Sequence, residues 1–102
     1  MLILLGKTQK NMSKPAATLG CHHTCPIPKH VGGAVTQASA NVFTENIAAC
    51  RQGDALNCNR GTDVVAAGSQ TVYINSRQAA RLGDPTAHGG QIVEGKMSVY
   101  IG

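Results

Sequence analysis

Gln78-Ala79-Ala80-Arg81-Leu82-Gly83-Asp84 decides the fold, because the chain contains it more than once. Ala48-Ala49-Cys50-Arg51-Gln52-Gly53-Asp54 repeats it loosely, and Pro15-Ala16-Ala17-Thr18-Leu19-Gly20-Cys21 is a third, worn copy. Gly20, Gly53 and Gly83 mark the same place in each copy, at intervals of about thirty residues, a spacing typical of repeat architectures. Such repetition means one small supersecondary unit used three times, each unable to bury its apolar face alone. Shortly after its glycine each copy carries a candidate metal ligand: His23 and Cys25, then Cys58, then His88. Three units that each aim a ligand at one point predict a pseudo-threefold body closed around a single ion.

The copies also share an ending. Gly68-Ser69-Gln70-Thr71-Val72-Tyr73-Ile74-Asn75 matches Gly95-Lys96-Met97-Ser98-Val99-Tyr100-Ile101-Gly102, and Ala38-Ser39-Ala40-Asn41-Val42-Phe43-Thr44-Glu45 is the corresponding piece of the first copy. Alternating β-branched and aromatic residues predict strands over Val42–Thr44, Val72–Ile74 and Val99–Ile101. Asn75-Ser76-Arg77 is turn chemistry, since Asn tolerates the left-handed backbone of a tight hairpin. The alanine pair that follows lets three units crowd toward a common axis where Leu or Phe would not fit. Gly53 and Gly83 suit a corner of positive φ, where Asp54 and Asp84 accept backbone N–H bonds. Cys21 stands at the aspartate position of the first copy. The variable loops lie between corner and strand, and no window shows a sustained helical period. The expected fold is all-β, with repeats at about 14–45, 46–75 and 76–102.

Composition narrows the function. A chain of 102 residues is one small domain, 42% apolar but only 3% aromatic. A core of Val, Ile, Leu and Ala in so small a body usually needs a staple. Lys and Arg give a net charge of +4 but form no run, and without aromatic platforms the chain lacks the footprint of a nucleic-acid binder. Met1-Leu2-Ile3-Leu4-Leu5 is shorter than a signal-peptide core. Residues 1–13 read as a leader outside the fold: a disordered extension, a tag remnant or an upstream-start artefact. With no signal peptide, synthesis in the cytoplasm is expected, where cysteines are more often reduced ligands than bridges.

All four His lie in the loops, none in a predicted strand. Neutral imidazole and thiolate suit Zn²⁺, which takes four such ligands when structural. Counted from the corner glycine, Cys25, Cys58 and His88 are equivalent. Counted back from the strand, His30-Val31-Gly32-Gly33 resembles His88-Gly89-Gly90. The expected ligands are His23, His30, Cys58 and His88, with Cys25 in reserve for His30. His22 neighbours His23 and should point away. Cys50 is read as a small buried hydrophobe; Cys21 is a corner residue, or a bridge to Cys25 in an oxidising medium. A four-ligand site is closed, whereas catalytic zinc keeps a position for water. No H-E-x-x-H, phosphate loop or nucleophile elbow appears. A small metallohydrolase is therefore disfavoured, and no catalytic residue is expected.

At these residues the chain resembles the PAAR-repeat family, the tip proteins of the bacterial type VI secretion spike. Gln78-Ala79-Ala80-Arg81 is close to the motif that names it; Asp84-Pro85-Thr86-Ala87-His88-Gly89-Gly90 and Gly95 to Gly102 are similar to its last repeat. His23-Thr24-Cys25-Pro26 with His30-Val31-Gly32-Gly33 is similar to the first repeat of one subgroup. The resemblance covers residues 14–102. It implies a compact cone of three β-repeats, its point fixed by zinc on three His and one Cys, its base capping a trimeric VgrG spike. It further implies effector proteins as partners, transient contact with a target membrane, assembly in the bacterial cytoplasm and export through the secretion apparatus. Thr18, Cys21 and the run Ala48-Ala49-Cys50-Arg51 depart from the motif. The competing reading is an intracellular zinc-stabilised protein-binding module unrelated to secretion.

Overall fold

The computed structural model describes residues 13–26, 32–58 and 61–102. The leader expected over 1–13 lies, up to residue 12, outside the described residues. Every regular element among the described residues is a strand: β1 (Lys14–Ala16), β2 (Gly32–Val35), β3 (Phe43–Thr44), β4 (Ile47–Ala48), β5 (Ala55–Cys58), β6 (Gly61–Val64), β7 (Tyr73–Ile74), β8 (Arg77–Gln78) and β9 (Lys96–Ile101). The all-β, three-repeat architecture expected from the sequence is the one observed.

Two tight hairpins have the same register, Phe43 opposite Ala48 in β3–β4 and Tyr73 opposite Gln78 in β7–β8. Each turns through two residues of positive φ, Glu45 (51°) and Asn46 (66°), then Asn75 (53°) and Ser76 (67°). That is the primed turn whose twist matches the flanking strands. The third hairpin is made by the first and last strands, with β9 pairing antiparallel to β1 so that Tyr100 faces Pro15 and Ile101 faces Lys14. The first repeat thus lends its opening strand to the third.

The ladders of β3 and β7 begin one residue later than expected. Val42 and Val72 give their N–H groups to the hydroxyls of Ser39 and Ser69, both at 2.9 Å, rather than to a neighbouring strand. A local side-chain acceptor has displaced the ladder bond.

The alanine positions meet on the axis. Ala17 N–H donates to the Ala80 carbonyl, Ala80 N–H to the Cys50 carbonyl and Cys50 N–H to the Ala17 carbonyl, each at 3.0 Å. This closed ring of three backbone bonds is the pseudo-threefold element of the fold, and it is possible because Ala17, Cys50 and Ala80 are small and buried. The next buried layer is Val35, Val65 and Ile92, which packs with Leu56, Cys21 and the ring residues into one core. The corners connect the two layers. Gly20, Gly53 and Gly83 all have φ near +90° (91°, 87° and 92°), the left-handed conformation that glycine adopts without steric cost.

Candidate metal centre

From each corner the chain climbs away from the ring with side chains alternating, so that residues two apart face the axis together. Three residues past the glycine stand His23, Leu56 and Thr86, all buried. Five residues past it stand Cys25, Cys58 and His88, whose ligand atoms all lie within 4.8 Å of one another. Cys25 Sγ is 3.8 Å from Cys58 Sγ and 3.6 Å from His88 Nδ1. Cys58 closes β5, opposite Gly61 of β6 and Gly32 of β2. His88 sits in a tight turn, in which Gly89 N–H donates to the Thr86 carbonyl at 3.0 Å. The first loop is drawn against this turn, since Thr24 N–H donates to the Gln91 carbonyl at 2.9 Å. Gly90 permits the approach: a Cβ there would run into the Thr24 carbonyl.

The donor set fits a metal. Zinc with bonds of about 2.3 Å to sulfur and about 2.0–2.1 Å to nitrogen has tetrahedral edges of about 3.8 Å between sulfurs and about 3.6 Å from sulfur to nitrogen. The two contacts of Cys25 match both. Cys50 is different in kind: burial foremost, then the nearby Asp54 and Cys21, push its thiol up to about 12. It stays protonated and apolar, as its small-hydrophobe role requires.

Of the residues expected to bind metal, the structure brings Cys58 and His88 together, with Cys25 as the third member. His30 lies outside the described residues. His23 stands one layer deeper. Its Nδ1 is 2.8 Å from the Gly33 carbonyl, which can only accept, so Nδ1 carries the proton. Its Nε2 faces Asp63 Oδ2 at 3.3 Å, with both side chains fully buried. His22 points away from the centre and pairs on the surface with Glu94, Nδ1 to Oε1 at 2.7 Å.

Asp63, on β6, had no role in the sequence-based account. Burial opposes its ionisation, yet hydrogen bonds from the Thr86 hydroxyl and the N–H groups of His88 and Val64 hold it below the usual carboxylate range. Its Oδ1 accepts those N–H bonds at 3.0 and 2.8 Å, and its Oδ2 lies 3.8 Å from His88 Nδ1. A sequence signal existed. The chain has five acidic residues; Asp54 and Asp84 belong to the corners and Glu45 and Glu94 flank strands, which leaves Asp63 alone without an assignment.

The family model described as PAAR motif matches residues 27–94, well over half of the chain. No curated protein matches it.

Proposed function

The chain belongs to the PAAR-motif family, and from that premise we propose that it is the metal-stabilised tip of a type VI secretion spike, capping a trimeric VgrG protein with one chain per trimer. The observation that carries the proposal is the placement of its aromatic residues. The chain has one Phe, two Tyr and no Trp. Phe43, Tyr73 and Tyr100 occupy equivalent positions of the three hairpins and are 59%, 56% and 54% exposed. A small protein with so few aromatics would be expected to bury them. Presenting all three to solvent in threefold register suits a threefold partner, and exposed aromatics are enriched where interfaces form. Val72, also exposed, and Met97 on β9 extend the apolar surface along the same hairpins.

In this proposal the loops end in a structural zinc bound by Cys25, Cys58, His88 and the imidazole of His30, two thiolates and two imidazoles. That departs from the three His and one Cys implied by the family resemblance. Zinc would replace the hydrophobic core that a narrow tip has no room for; apparent binding energies of about 10 kcal/mol or more are typical of structural sites. The chain's role is then mechanical and carries no chemistry of its own. Assembly in the bacterial cytoplasm, export with the spike, effector carriage and transient membrane contact follow from the same proposal.

The test is reconstitution with a trimeric VgrG. One zinc-loaded chain per trimer is expected, and serine at Phe43, Tyr73 and Tyr100 together should abolish capture while leaving zinc content intact. Binding at any other stoichiometry, or capture unaffected by the triple change, would favour a binding module unrelated to the spike. Zinc content after His30→Ala and His23→Ala separates the two imidazoles: loss is expected with His30→Ala alone.

A further inference from the structure

Beneath Cys25, Cys58 and His88 lies a fully buried pair of polar side chains, His23 and Asp63. His23 Nδ1 donates to the Gly33 carbonyl, which holds the ring with Nε2 turned inward. That nitrogen faces Asp63 Oδ2 at 3.3 Å, and both side chains are completely buried. Neither atom has a hydrogen-bond partner. Two buried polar atoms that face each other without a hydrogen bond are costly, and a positive charge close by favours the carboxylate of such a pair. The nearest place for that charge is the ring above: Asp63 Oδ2 lies 3.8 Å from His88 Nδ1, and Oδ1 holds the His88 backbone N–H at 3.0 Å.

We propose that Asp63 is the inner carboxylate of the metal centre. Resting on the zinc reading above, it acts as a positioning residue with two functions. Through Oδ1 it ties the third repeat's metal loop to β6 of the second, which sets where the His88 imidazole stands. Through Oδ2 it places a buried negative charge beside the bound cation, with His23 held opposite by Gly33. Outer partners of this kind typically change metal affinity by about 10–100-fold when removed. Asp63 is placed for the part by geometry: Oδ1 accepts the N–H groups of His88 and Val64 at 3.0 and 2.8 Å, which leaves Oδ2 turned toward the His88 ring.

The experiment compares Co²⁺ binding by the full chain and by Asp63→Asn, using the sulfur-to-cobalt charge-transfer and ligand-field bands. Asn keeps an oxygen for the two backbone N–H groups and puts an amide N–H toward His23 Nε2, so the fold is preserved while the charge is removed. The expected result is an affinity at least about tenfold weaker, with the charge-transfer intensity of two thiolates retained and the ligand-field bands shifted. The pair Asp63→Glu and Asp63→Gln asks the same question at a second constant shape, and Glu should bind Co²⁺ more tightly than Gln. Equal affinity within either pair overturns the proposal. So does a fall in thermal stability of Asp63→Asn that is the same with chelator as with metal, which would make Asp63 a structural partner of a charged His23. A wild-type chain that binds no Co²⁺ would instead sink the metal centre itself, an outcome distinct from equal affinities in a chain that does bind it.

Discussion

At the second repeat's corner, Asp54 is wrapped by Arg51: the Arg51 backbone N–H and Nε reach Oδ2 at 2.7 and 3.0 Å, and a terminal guanidinium nitrogen reaches Oδ1 at 2.8 Å. Arg81 and Asp84 reproduce this in the third repeat at 2.7, 3.0 and 2.9 Å. The first repeat makes the same corner with Thr18 and Cys21, and there the best contact is the Thr18 backbone N–H on Cys21 Sγ at 3.4 Å. The backbone is nevertheless the same, with Gly20 at φ 91° beside 87° and 92° at Gly53 and Gly83. One geometry is therefore held in two ways. A short bidentate ion pair closes two corners, and a small thiol packed into the core closes the third.

The difference predicts unequal costs. Asp54 is the most committed of the three side chains, because it also takes Arg77 Nη1 at 3.2 Å and is fully buried. Asp54→Ala leaves the Arg51 N–H and a largely buried guanidinium without their acceptor, and breaking such a pair from one side costs about 3–5 kcal/mol. Urea denaturation measures it. Asp84→Ala removes the same bonds without a second arginine, for an expected loss of about 1.5–3 kcal/mol, typical of hydrogen bonds to charged groups. If the two losses were equal, Arg77 would contribute nothing. If both fell below that of Cys21→Ala, the contrast between the corners would collapse.

Cys21→Ala should be cheaper, about 1 kcal/mol, because only a weak sulfur acceptor and a small cavity are at stake. A loss as large as that of Asp84→Ala would mean that the first corner depends on its thiol as the third depends on its carboxylate.

These corners also mark how far the fold was legible in the sequence. Gly20, Gly53, Gly83, Asp54 and Asp84 could be assigned because a positive-φ corner and a backbone N–H acceptor are local requirements that leave residue-specific traces. The alanine positions were legible for the same reason, since only small residues can close a ring of backbone bonds on an axis. The pairing of β1 with β9 left no such trace: it joins strands some eighty residues apart in sequence, and no local pattern in Lys14–Ala16 distinguishes an edge strand from a linker. At the candidate metal centre, the count from the corner glycine groups Cys25, Cys58 and His88, as the structure does; His30, reached by similarity to His88-Gly89-Gly90, lies outside the described residues. Asp63 escaped because its partners, His23 and His88, come from the other two repeats, and only the closed threefold body brings them to it.

The smallest expected effect concerns the ring, where the second repeat departs from its fellows. Ala17 and Ala80 are matched there by Cys50, which is fully buried. Burial raises its thiol to about 12, assisted by Asp54 and Cys21, whereas a thiol in the unfolded chain titrates near 8.5. The sign follows from proton counting. Between those values the native state keeps a proton that the unfolded state has released, so stability is full below about pH 8.5 and declines as pH rises toward 12. Cys50→Ala removes that decline. At neutral pH it costs about 1 kcal/mol or less, the loss of one sulfur from a site that the other two repeats fill with a methyl group. Difference curves between wild type and Cys50→Ala, prepared alike, cancel whatever the other cysteines contribute. The two stabilities should therefore converge and then cross as the solution is made alkaline. Parallel curves throughout would show that Cys50 does not lose its proton on unfolding in that range, and a widening gap would mean that the thiolate is favoured inside the ring.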